Sequence, residues 1–374
     1  MLISLWGHLG YFLKDFYLYL LTILIAFLVC VFLLLKISKS TVSENKKGFY
    51  VLIIFTFFFI ILIYSAFEGY FRYSFDVSDS LGFLKVSHKW DQRHVIYNNY
   101  QYRDKDFAVQ KEEGTVRIGV MGDSMAFGYG IKDTNNRFSN LLEEKLLKDG
   151  YNAEVYNFGV PGFDTEQEVQ EYERVKRFNF DILIWSYFLN DAEEASRSAG
   201  EAILQNEQRK QTSPIIEFVL NNSFFFDYVY WRINAKYGRV FEGMGKADLS
   251  QYNNPEIFNH HYDLISSFNK ELTGEGKKVV AIIFPFLYFL PDYPKDAINI
   301  HKKMANTFLD SGVSKVVDLL PELKGKNPNQ LTVSRFDYHP NEYVHRLATN
   351  LLYNSIAPLL ERKGDKTYLI KDEE

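Results

Sequence analysis

The chain has one cysteine, Cys30, among 374 residues, so no disulfide can form within it and a cysteine-rich metal site is excluded. It also has no long basic block. The formal net charge is −5, and phosphate backbones require clustered lysine and arginine, so nucleic acid is not an expected partner. The stretch "GYGIKD", residues 128–133, lacks the adjacent lysine and hydroxyl residue of a phosphate-binding loop. His260 and His261 are neighbours in sequence. On a helix they would point about 100° apart rather than converge on one ion. No metal and no cofactor is expected, and no internal repeat or low-complexity tract is present.

Apolar and aromatic residues are plentiful. Residues 16–35 and 49–67 carry no charged side chain, and each approaches the roughly 20 residues that a membrane-spanning helix needs. The first is too long for the core of a cleaved signal peptide, and no small-x-small site follows it. Lys36, Lys39, Lys46 and Lys47 lie between the two runs. Positive charge is retained on the cytoplasmic side. The expectation is a hairpin over 1–67, held by membrane lipid, with the connecting loop inside. Everything beyond it would then be extracytoplasmic, which in a bacterium means the periplasm or outer face.

Residues 68–112 show no clear period and read as a juxtamembrane arm packed on the edge of the domain. Beyond Thr115 the pattern alternates. Short apolar runs at 116–121, 153–157, 182–187, 279–284 and 315–318 are expected as strands. Amphipathic segments at 138–147, 167–177, 255–273, 296–311 and 342–360 are expected as helices. Such alternation predicts a five-stranded parallel sheet wrapped on both faces. Residues 192–254 interrupt the rhythm and contain "SFFFDYVYWR" (223–232). This insertion can be a helical flap with its own small core, a lid, or a face resting on lipid. Residues 363–374 read as a polar tail.

Ser124 in "VMGDSMAFGYG" follows the first predicted strand directly. Ligands bind beyond the carboxyl ends of strands in an open parallel sheet. A serine there becomes a nucleophile only if a base removes its proton. "FDYHPNEYVHRLA" (336–348) supplies His339, with Asp337 two residues upstream to fix and stabilise the imidazole. "NFGVPGFDT" (157–165) places Gly162 after the second strand, and "YFLND" (187–191) places Asn190 after the third. With the Ser124 N–H they would make three donors around an oxyanion. Asp123 and Asp191 are expected to brace their loops, and His345 to be structural.

Serine, glycine, asparagine and Asp-x-His in this order resemble the four blocks of the SGNH hydrolases, the GDSL-type esterase superfamily, from about residue 117 to 348. Three positions depart from the usual pattern. Met125 replaces the GDSL leucine, Phe188 replaces the glycine two before the asparagine, and the acid and base are spaced D-x-H instead of D-x-x-H. The resemblance implies a flavodoxin-like three-layer α/β/α domain over 113–362. It implies a serine ester hydrolase acting on an acylated glycan or lipid through an acyl-enzyme on Ser124. The same residues would serve an O-acyltransferase supplied by a membrane-bound acyl-donor partner. A non-catalytic binding protein on the same fold is the third reading.

The lysine-rich loop makes the orientation testable. A topology reporter fused after Glu374 should read as extracytoplasmic; cytoplasmic activity from a stable fusion would reverse the orientation and remove the envelope substrate.

Overall fold

The computed structural model describes residues 2–190, 213–234 and 236–370. Among these, five apolar runs form strands where the pattern places them: β1 (Val116–Gly122), β2 (Ala153–Asn157), β3 (Ile182–Phe188), β4 (Lys278–Phe284) and β5 (Lys315–Asp318). They pair in the order β2-β1-β3-β4-β5, every neighbour parallel. This is the flavodoxin-like order. Every residue of β1 and β3 is buried, as strands between two helical layers must be. Helices Phe138–Lys148 and Glu342–Ile356 pack together as one layer, and Thr165–Val175, Pro255–Gly274 and Lys295–Asp310 form the other.

Helix ends follow local chemistry. Asp164 and Gln167 form a capping box, so that helix begins at Thr165, two residues before its apolar period. The last long helix stops at Ile356, because the next turn contains Pro358 and is a 3₁₀ turn, Ala357–Leu359.

Two boundaries differ from the sequence expectation. Residues 363–369 are not a polar tail. Leu360–Lys363 and Lys366–Leu369 pair as an antiparallel hairpin around Gly364-Asp365, a two-residue turn that favours such pairing. Buried Thr367 ties it down: its N–H donates to the Gly114 carbonyl at 2.7 Å, and its Oγ1 accepts from the Asn152 N–H at 2.7 Å.

Residues 68–112, expected as one juxtamembrane arm, are divided between two units. The second apolar helix, Glu44–Gly69, runs on into a π-helical turn, Tyr70–Ser74. From Asp76 the chain belongs to the sheet domain, with Trp90, Tyr102, Arg103 and Phe107 buried in it. The Arg103 guanidinium donates to the carbonyls of Gly128 (2.8 Å) and Ile131, and to that of His94 (3.1 Å). Buried Arg137 donates to the Arg103 carbonyl at 2.6 Å and pairs with Asp104 at 3.0 Å. The two arginines fix the loop that leaves Ser124.

The other compact unit comprises residues 1–75 and 216–229. Its helix Leu2–Ser38, and its helix Glu44–Gly69 together with the π-helical turn that follows, supply segments long and apolar enough to cross a bilayer, Phe16–Ser38 and Glu44–Ser74. The aromatic insertion is helical here, as Pro214–Asn222 and Phe224–Ile233. Glu68 accepts from Ser223 Oγ at 2.7 Å and from the N–H groups of Phe224 and Phe225 at 3.0 Å each. Phe225 stacks on Phe67 with ring centroids 5.2 Å apart, and Phe226 on Tyr64 at 5.3 Å. A third helix of the insertion, Lys236–Gln251, belongs to the sheet domain. The start of the insertion lies outside the described residues.

Candidate active site

β1 ends at Gly122, whose φ is +156°; a Cβ there would come 2.5 Å from the Ser186 carbonyl oxygen on β3. Only glycine allows the two strands to close at that point. Asp123 then caps the short helix Ser124–Phe127, accepting the Met125 N–H at 2.8 Å. From the end of β2, the Asn157 amide donates to the Ala126 carbonyl at 2.7 Å and to Ser139 Oγ at 2.9 Å. Ser124 is held at the carboxyl ends of β1 and β3, where the sheet order changes direction. Burial raises the Asp123 carboxyl above its usual range.

His339 and Asp337 arrive on a short strand, Asp337–Pro340, paired antiparallel with Thr332–Ser334. His339 Nε2 lies 2.9 Å from Ser124 Oγ, and Nδ1 lies 2.5 Å from Asp337 Oδ1. Asp337 is fully buried, and the same Oδ1 also accepts the His339 N–H at 3.1 Å. Burial alone would lower the imidazole pKa, but the Asp337 charge and hydrogen bond outweigh it and the net shift is upward. Burial would likewise raise Asp337, yet the facing imidazole holds it below the ordinary carboxylate value.

Gly162 and Asn190 line the same cavity of about 320 Å³ as Ser124 and His339. Gly162 has φ +79°, with open space where a Cβ would stand. Its N–H can therefore face a ligand in a backbone conformation that suits glycine. Asn190 follows β3, and its Oδ1 is buried with no hydrogen-bond partner among the described residues. Four of the expected residues thus meet in one cavity, with Asp337 behind His339 and Asp123 beneath the turn. Asp191 lies outside the described residues. His345 is buried in the last long helix and accepts the Phe138 N–H at 3.2 Å on Nδ1; burial pushes its pKa down to about 3. His261 Nε2 sits 2.8 Å from the Tyr187 hydroxyl.

Sequence reasoning missed Ser80. Its hydroxyl donates to Asp337 Oδ1 at 3.0 Å and accepts the Tyr338 N–H at 3.0 Å, while its own N–H donates to the Phe336 carbonyl at 2.9 Å. The only signal was turn composition, Asp79-Ser80-x-Gly82, in a stretch without periodicity. Also missed were Tyr129, whose ring lies 5.1 Å from that of His339, and the cavity wall from helix Lys236–Gln251.

A scan against family models returns no match, and neither does a comparison with curated proteins. A comparison with solved structures does return matches. The lipase/acylhydrolase from Enterococcus faecalis is 15% identical, with a TM-score of 0.41 over 66% of this chain and 98% of its own. A member of the lipolytic protein G-D-S-L family from Veillonella parvula is 12% identical, with a TM-score of 0.36 over 65% of this chain and 100% of its own. An acetyl xylan esterase is 12% identical, with a TM-score of 0.38 over 64% of this chain and 100% of its own.

Two outcomes test the site. A base must be neutral to take a proton, and the imidazole pKa lies above its ordinary 6.5, so kcat/KM should rise with pH through a midpoint above that value. Asp337→Asn should lower turnover and move the midpoint of the residual activity downward, because burial is then less opposed. A midpoint that does not move would disconnect Asp337 from the base. Second, Asn190→Ala should lower turnover by roughly 10²–10³, the usual effect of losing one oxyanion donor; unchanged turnover with an authentic substrate would remove Asn190 from the reaction.

Proposed function

We propose that this chain is a membrane-anchored serine ester hydrolase that acts on an O-acylated glycan or lipid at the extracytoplasmic face. The observation that carries the reading is the contact of His339 Nε2 with Ser124 Oγ at 2.9 Å, backed by Asp337 at 2.5 Å on the other ring nitrogen. In this reading His339 Nε2 takes the Ser124 proton as Oγ attacks the ester carbonyl. The imidazolium is stabilised by Asp337, which keeps its negative charge. The oxyanion is held by the N–H groups of Ser124 and Gly162 and by the Asn190 amide. Collapse breaks the bond to the alcohol oxygen, which leaves with the proton from His339. Water then repeats the sequence on the acyl-enzyme, and Ser124 recovers its proton.

The acyl side of the cavity supports a short chain. Phe188, where the resemblance leads one to expect glycine, is buried and lies edge-on to Phe286 with centroids 4.7 Å apart. Two rings packed there leave less room than a glycine would. The two apolar helices support membrane attachment, and the lysines between them support the side.

A serine-directed fluorophosphonate should label Ser124 in the wild type and leave Ser124→Ala unlabelled. Ser124→Ala and His339→Ala should each abolish turnover of a small acetyl ester. The double variant should be little worse than either, because members of one catalytic unit are strongly non-additive. Labelling of another serine, with activity surviving in Ser124→Ala, would overturn the assignment. Adding an oligosaccharide acceptor separates the outcomes further: acetate release alone fits the hydrolase, whereas acetyl appearing on the sugar makes the chain a transferase.

A further inference from the structure

The cavity is also lined by residues other than the site residues of the four sequence blocks. Helix Lys236–Gln251 contributes Phe241 and Asp248, the segment after β4 contributes Tyr288, and Tyr338 stands between Asp337 and His339. The rings make a cluster. Phe241 lies 4.7 Å from Tyr288 and 4.6 Å from Tyr338, and Tyr288 lies 5.6 Å from Tyr338, all between centroids.

Asp248 lies on this wall. It is 8% exposed, and among the described residues no hydrogen bond or ion pair to its carboxylate is found. Asp79, the other carboxylate on the cavity, is by contrast occupied by the N–H groups of Leu81 and Leu84, at 2.9 and 2.6 Å. No lysine or arginine is among the described residues lining the cavity. Burial pushes the Asp248 carboxyl up to about 7, with no neighbouring cation to hold it down.

A nearly buried carboxylate in the lining of a cavity, with no partner among the described residues, lacks both a hydrogen-bond donor and a compensating charge. A sugar hydroxyl would supply the first. An ammonium group supplies both, and its positive charge is also attracted to aromatic faces. The chemistry of this wall therefore matches a cation better than a neutral polyol.

We propose that Asp248, Phe241, Tyr288 and Tyr338 form a subsite for an ammonium group carried by the substrate. The ligand class is an ester with a quaternary or primary ammonium on its acyl or alcohol part. That this ligand is a substrate rests on the esterase reading; the cation preference of the wall does not. The three aromatic residues approach the ammonium with their rings, and Asp248 faces it as the counter-ion.

The test is a binding measurement on the full-length chain in detergent, at about pH 8.5, where the Asp248 carboxyl is ionised. Choline and ethanolamine are titrated by calorimetry, each against its neutral isostere, 3,3-dimethylbutan-1-ol and propan-1-ol. At least one cation should bind roughly ten-fold tighter than its isostere or better. Asp248→Asn should reduce that ratio to near one, and Phe241→Leu should reduce it less. No preference in the wild type, or a preference undiminished in Asp248→Asn, would overturn the subsite. No turnover enters this measurement. A chain that fails to label with fluorophosphonate can still show the cation preference, and an active esterase can lack it, so the two readings fail separately.

Discussion

Two cations buried without a solvent path must find acceptors inside the protein, and much of the site depends on where Arg103 and Arg137 find theirs. Their guanidinium groups share the Phe127 carbonyl, at 3.4 and 3.2 Å, and Arg103 continues to Gly128 and Ile131. These carbonyls belong to the loop that leaves the Ser124 turn. A hydrogen bond to a charged group contributes about 1.5–3 kcal/mol, and removing one partner from a buried charge costs about 3–5 kcal/mol. A surface loop has no comparable restraint. Aromatic faces close around the same charge, since Arg103 lies 5.5 Å from the ring centroid of Trp90 and 5.2 Å from that of Phe127. The Ser124 turn is thus braced from below by Asn157 and from behind by the arginines.

The segment that carries Arg103 also carries Ser80, which donates to Asp337 behind His339. Residues 76–112 therefore hold both Ser124 and Asp337, although they contribute no strand to the sheet. Deep burial gives these contacts their weight. Asp337 is sheltered from solvent, and its charge acts on His339 with little screening. Against the burial that would otherwise lower the imidazole pKa, the pair holds it above its ordinary value.

The sheet and the four blocks were legible because their signals are local. Each strand is a short apolar run, and each of Ser124, Gly162 and Asn190 falls just past one. The two apolar spans are equally local. Ser80 was not legible, because it contacts a residue 257 positions away and nothing near it in sequence demands that partner. The burial of Arg103 and Arg137 was not legible either, since burial of a cation is decided by carbonyls that the sequence does not display. The hairpin after Leu360 was hidden by its polar composition; a short edge hairpin needs only one inward residue, and Thr367 is that residue.

The departure from D-x-x-H spacing has a structural reason. Residues i and i+3 share a side on a helical turn, whereas i and i+2 share a face on an extended strand. Asp337 and His339 lie on a strand, so the shorter spacing is the one that brings Oδ1 to Nδ1 at 2.5 Å. The same alternation turns the intervening residue away from them. Tyr338 packs instead on Phe241 and Tyr288, and so joins the aromatic wall that Asp248 faces. A single short strand thus sets His339 against Ser124 on one face and packs Tyr338 into the aromatic cluster on the other. Lengthening the spacing by one residue would disturb both at once, since a one-residue slip in a strand exchanges its faces.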